Sequence, residues 1–166
     1  MKKIIFGLLL MSVSAMAADA KVGYVDVQKA IQATAAGKKA KDQLDVEFKK
    51  RKEVLDKKKA DIEKMGQDLE KKKSVLSEEV LGKKQMELQE EMMKFQKNVA
   101  ENQLEIQKKE KDLVDPIIEK MKKVIEKVAE GKGFSLVIER NAQNVLFAQK
   151  DTDLTTDVVT AFEKEK

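Results

Sequence analysis

The chain has no cysteine, no histidine and no tryptophan, a single tyrosine and a single proline, and aromatic residues make up 4% of its 166 positions. Each absence closes off a class of function. Without cysteine there is neither a disulfide nor a thiol nucleophile. Without histidine, the usual ligand for zinc, copper and haem is missing, together with the commonest general base at neutral pH. Glycine loops of the Walker type, the G-x-S-x-G elbow and clusters of metal-ligating residues are absent as well. The sequence therefore argues against an enzyme and against a resident cofactor or metal. With 39% charged residues and so few aromatics, it suits long helices and poorly supports a large globular core.

What is present is a seam. Leu44, Phe48, Leu55, Ile62, Leu69 and Leu76 are spaced by four residues and then repeatedly by seven. A straight helix drifts against a seven-residue repeat, so a repeat held this long implies a helix wound around a partner. Downstream, Leu81, Leu88 and Phe95 form one seven-residue series, and Met92, Val99, Ile106 and Leu113 form another. Between the two runs, Ser77 followed by Glu78 and Glu79 reads as a helix N-cap with acids in the first turn, where they complement the helix dipole. A short break between long helices predicts an antiparallel coiled-coil hairpin arm over 38–116. Lys38–Lys73 carries 14 basic against 9 acidic residues, and Ser74–Asp115 carries 7 against 10. Opposite net charges favour pairing of the two runs, though each exposed ion pair contributes only about 0 to 1 kcal/mol and weakens in salt.

The seam is imperfect. Arg51, Lys58, Met65 and Lys72 fill its companion position in the first run, and Asn102 and Lys109 interrupt the second. Gly66 and Gly82 each weaken helix propensity by about 1 kcal/mol relative to Ala. Two readings fit this pattern: a rigid spacer with lysine stems lying over the seam, and an arm that bends.

At the N-terminus, Lys2 and Lys3, the apolar run Ile4–Val13 and the small-x-small Ala15-Met16-Ala17 make a secretory signal segment over 1–17. The apolar run is shorter than the roughly 20 residues a spanning helix needs. The expectation is a soluble product starting near Ala18, its net charge lowered from +4 to +2 by loss of the two lysines.

The remaining segments, 18–37 and 117–166, form a β-rich body. Lys21–Val27 reads as a buried strand, with Val22, Tyr24, Val25 and Val27 apolar on both faces. Gln28–Ala36 reads as a short helix ended by Gly37. Ile117, Ile118, Met121, Val124, Ile125 and Val128 widen the apolar stripe for packing on the body. At Asp115-Pro116 the helix is expected to kink, or to restart with Asp115 as its cap, and the arm to change direction. Gly131-Lys-Gly133 should end the helix. Two strands are predicted after it, over Phe134–Glu139 (Phe134, Leu136, Ile138) and Val145–Ala148 (Val145, Phe147), joined by an Asn-rich turn. Leu154–Phe162 closes the chain as a helix with Thr155 as its N-cap. The fold class is α+β. Three short strands cannot close a sheet within one chain, so the body should oligomerise into a small shared β-barrel.

In order and spacing the chain resembles the Skp/OmpH family of periplasmic chaperones over essentially its whole length after the signal. The resemblance is carried by Lys21-Val-Gly-Tyr-Val-Asp-Val-Gln-Lys-Ala30, Gly37-Lys-Lys-Ala40, Leu76-Ser-Glu-Glu79, Gly133-Phe-Ser-Leu-Val-Ile-Glu139 and Asp153-Leu-Thr-Thr-Asp-Val158. It implies a homotrimer with a β-barrel body and three coiled-coil arms enclosing a cavity. It further implies a holdase, working without ATP, that keeps unfolded outer-membrane proteins soluble in the periplasm until they are assembled into the membrane. The alternative is a structural coiled-coil spacer of the cell envelope.

A holdase must grip many sequences weakly, which suits flexible apolar side chains on a charged surface. Met86 and Met93 stand seven apart, off the seam, and Ala100 continues their row. They are candidate client contacts, the other reading being that they pack on the neighbouring helix. The runs Lys49–Lys52, Lys57–Lys59 and Lys71–Lys73 are solvated faces by default. They could also meet anionic lipid or lipopolysaccharide, for which the family's basic site has no motif here. Nucleic acid is disfavoured by export and by the scarcity of aromatics for base stacking.

Overall fold

The computed structural model describes residues 20–141 and 144–165. The expected signal segment lies outside the described residues. The elements in chain order are strand β1 (Val22–Val25), helices α1 (Val27–Ala33), α2 (Ala35–Lys72) and α3 (Glu78–Gly131), strand β2 (Leu136–Glu139), a 3-10 turn (Lys150–Thr152) and helix α4 (Thr155–Lys164). The molecule is mostly helical, with one two-stranded sheet.

The strands pair in parallel, Val22 opposite Leu136 and Val25 opposite Glu139. A parallel pair needs a crossover connection, and here the entire hairpin of α2 and α3 lies within it. The other edge of β1 receives the Leu154 N–H on the Tyr24 carbonyl at 2.9 Å. A small core gathers beneath the hairpin base from Val25, Ala30, Ile117, Met121, Val124, Leu154, Val158 and Phe162. Met121 is wholly enclosed and contributes about 1.5–3 kcal/mol through burial.

Local chemistry corrects several expectations. Val27 belongs to α1, because the Asp26 carboxylate accepts the Lys29 N–H at 2.8 Å and caps a helix that begins there. The Asp26 N–H is in turn held by the Thr155 hydroxyl at 3.0 Å, so β1 stops at Val25. Gly37 does not end a helix. It is buried in the first turn of α2, whose cap is Thr34, the Gly37 N–H donating to Thr34 Oγ1 at 3.0 Å. A Cβ at Gly37 would stand 1.9 Å from the Ile31 carbonyl oxygen, so close passage of α1 demands glycine.

The helix does not restart at Asp115, since α3 runs unbroken through Pro116. It ends at Gly131, and Gly133 then takes a left-handed φ of 70° that turns the chain toward β2. Phe134 lies just ahead of β2 and is buried in the core. Among the described residues, Val145–Ala148 forms no hairpin with β2. β2 pairs with β1 along one edge, and beyond it Asn141 and Asn144 bind each other's backbone N–H groups, at 2.9 and 3.0 Å, in a local turn that does not bring the chain back onto the other edge. Val145 and Phe147 thus lie outside any strand. Thr155 is the first residue of α4 and not its cap: its own N–H donates to the Asp153 carboxylate at 2.9 Å.

Candidate functional site

The arm presents a long exposed surface that could meet another molecule. Ser77 caps α3, accepting the Val80 N–H at 3.4 Å, and 73–77 makes the turn at the tip. At about 1.5 Å per residue, α2 runs roughly 57 Å and α3 roughly 81 Å. Leu44, Leu55, Ile62, Leu69, Leu76, Leu81, Leu88, Phe95, Ile106 and Leu113 are half-buried, as a two-helix seam with no third layer requires. Phe48, Met92 and Val99 stand further out, Phe48 at 59% exposure, because two helices cannot cover every seam position.

Three of the polar residues that interrupt the seam, Arg51, Lys58 and Asn102, find partners across the arm. Arg51 on α2 donates to Asn102 on α3 at 3.0 Å and also to Glu105, while its Nε reaches Glu47 at 2.6 Å. These bonds, led by the one to Glu105, hold the Arg51 pKa above its usual value. Lys58 pairs with Glu91 across the arm at 2.5 Å, and Lys58 followed by Lys94 keeps the Glu91 carboxyl below its usual range. The pairings run in opposite directions along the two helices and so establish the antiparallel register.

Off the seam, Met86 is 64% and Met93 56% exposed, and Ala100 is exposed beside them. Leu104, four residues beyond Ala100 and also exposed, extends the same face. Leu104 was missed in the sequence because it breaks the seven-residue spacing, although a four-residue step keeps to one helix face. A second row, Lys50, Lys57, Lys64 and Lys71, stands along α2 with no ion pair among the described residues. Near the tip, Met65, Leu69, Leu76 and Leu88 wall a cleft of about 300 Å³ between the two helices.

On the body, Val22, Leu136 and Ile138 are exposed along the sheet, and Tyr24 and Val25 are buried. Leu146 and Phe147 are 96% and 84% exposed. Two apolar clefts meet at Ile125 and Val137, between α3 and β2. Near α4, burial pushes the Asp153 carboxyl up, but hydrogen bonds from Thr155 and Tyr24 outweigh it and leave the pKa lowered. Among the described residues no group of carboxylates could hold a metal ion, and no helix is long and apolar enough to cross a membrane.

Comparison with known proteins bears on fold and family. No match is found among curated proteins. The crystal structure of a Caulobacter crescentus protein, described as a candidate outer membrane chaperone (OmpH-like), superposes with a TM-score of 0.72 at 19% identity, covering 87% of this chain and 84% of that one. At that identity the likeness concerns the fold. A family model described as outer membrane protein (OmpH-like) matches residues 21–162, from the start of β1 into the last turns of α4, and the chain belongs to the OmpH-like family.

Proposed function

We propose that this protein is an ATP-independent holdase of the periplasm that shields unfolded outer-membrane proteins from aggregation. The observation that carries the reading is the arm: a long charged rod on which flexible apolar side chains, Met86, Met93, Ala100 and Leu104, lie uncovered in a row. Weak contacts of that kind accept many sequences, and the surrounding charge keeps the complex soluble. Membership of the OmpH-like family and the shared fold support the same reading.

The body over 18–37 and 117–166 serves as the oligomerisation module in this proposal, and the arm over 38–116 as the client-holding module. Three copies close a small barrel through β1, β2 and the 145–148 segment, with Val22, Leu136, Ile138 and Phe147 supplying apolar contacts. Heterologous contacts that close a ring bring three arms out on one side, around a cavity. The unpaired lysine row adds a salt-sensitive attraction for acidic client segments or anionic lipid.

The test is light scattering from a denatured outer-membrane barrel diluted into buffer with the purified protein, after sedimentation has fixed its mass. Suppressed aggregation at about one trimer per client supports the holdase. A trimer that leaves the client to aggregate is instead a coiled-coil spacer of the envelope.

A further inference from the structure

We propose that the cleft at the arm tip is a receptor for a single aromatic side chain carried on an extended, unfolded polypeptide. The proposal rests on the holdase reading and locates one contact within it. The cleft arises from the sequence of the seam. Lys72 on α2 and Gln85 on α3 occupy seam positions, so no apolar side chain closes the seam at this level and the helices leave a space of about 300 Å³. A cavity of roughly 150 Å³ accommodates benzene, so this one has room for a phenyl, phenol or indole ring.

The walls suit a ring. Met65, Leu69, Leu76 and Leu88 are aliphatic or thioether side chains, and a thioether gives favourable contacts at an aromatic edge. The rim suits a peptide. Lys84 and Glu87 pair with each other at 3.0 Å, whereas Asp68 and Lys72 have no ion-pair partner among the described residues. Asp68 and Lys72 are four residues apart and therefore adjacent on one helix face. An extended backbone presents N–H and C=O groups in alternation, the Asp68 carboxylate accepting from the first and the Lys72 ammonium donating to the second. A rim of both signs favours such a dipolar chain over a simple anion or an uncharged lipid tail.

The absence of tryptophan makes the test clean, because the emission of a tryptophan peptide is then observed alone. The probe is a short uncharged peptide with one central Trp, titrated with the intact protein carrying 13C-methyl methionine. The expected result is a blue shift in emission, with a ring-current shift of the Met65 methyl that exceeds any shift of the Met86 and Met93 methyls. The same peptide with Ala for Trp should move nothing. Met65→Phe, which fills the cleft, should weaken binding about tenfold or more. Its sedimentation mass and helicity serve as controls, and if that variant fails to fold, the methyl shifts of the unaltered protein decide. Movement of Met86 and Met93 with Met65 still, or no methyl movement at all, overturns the proposal. Aggregation suppression, measured separately, distinguishes this failure from failure of the holdase reading: a protein that protects its client without a Met65 response loses only the cleft.

Discussion

The guanidinium of Arg51 on one arm helix donates to the side-chain oxygen of Asn102 on the other at 3.0 Å, placing a polar layer inside the arm seam. A half-buried polar pair of this kind sets register at some expense of stability, since leucine at both positions would pack without needing a partner.

The first prediction follows directly. In a double-mutant cycle with Arg51→Leu and Asn102→Leu, the coupling energy should be roughly 0.5–1.5 kcal/mol, the range for one net hydrogen bond. The double variant should melt at or above the parent, followed by circular dichroism at 222 nm. A double variant less stable than either single one would show that the pair does more than fix register.

Gly37→Ala should be far more damaging than its size suggests. A methyl group 1.9 Å from the Ile31 carbonyl forces α1 and α2 apart, and overpacking of this kind destabilises by about 1–3 kcal/mol. The thermal midpoint should fall, whereas Gly82→Ala, where the added carbon meets nothing within 4 Å, should hold or raise it.

Replacing Met86 and Met93 together by Ser removes the apolar row without touching the seam. Helicity and sedimentation should stay as they were, and the dose of protein needed to suppress client aggregation should rise several-fold. Unchanged protection by an intact oligomer would take these residues out of the mechanism and leave the seam-side clefts as the grip.

Phe147→Ser, at a position 84% exposed in the single chain, should not destabilise that chain. It should shift the sedimentation profile from the expected trimer toward the monomer. An unaltered trimer would place the assembly contacts elsewhere on the body.

Below about pH 8 the pH dependence should be confined to acid. With no histidine, no side chain with an ordinary pKa titrates between about pH 5 and 8, so stability should be flat there. The Asp153 pKa is lowered from its usual 3.8, so the unfolded chain takes up this proton first as pH falls. The stabilisation is complete above about 3.8 and is lost as pH drops through the depressed folded value. Glu91 and Glu165 are lowered too, by Lys58 and Lys127 respectively as the leading causes, and add the same sign. Asp153→Asn should flatten the acid limb of an unfolding series.

The sequence carried the arm well because a seam is a periodic object: the helices, the Ser77 cap and the antiparallel turn could all be read from spacing and one capping signal. The body was harder, since its decisive contacts join residues far apart in the chain. The contact of Asp26 with Thr155 leaves no local signature, whereas Asp26 and Thr34 are N-caps that act three residues ahead and overrule the strand-like Val27 and the helix-ending look of Gly37. Val145–Ala148 looks like a strand by composition, yet the chain leaving β2 is held in the Asn141–Asn144 turn and does not run back along β2's open edge. At the candidate site the methionine row was visible as a spacing. The tip cleft was not, because a void is defined by what the facing helix fails to supply.

The parallel ladder of β1 and β2 gives the arm a modular character. Its two strands are separated by the whole hairpin in the sequence, and a loop of that length is entropically unfavourable to close in an unstructured chain. Once α2 and α3 have zipped from their local turn, their bases already stand together, and the sheet has only a short gap left to span. The ladder therefore senses the foot of the hairpin and is indifferent to its reach. Matched heptads removed from both helices should shorten the rod while the body closes as before, which makes the reach of the arm a quantity evolution can tune without refolding the protein.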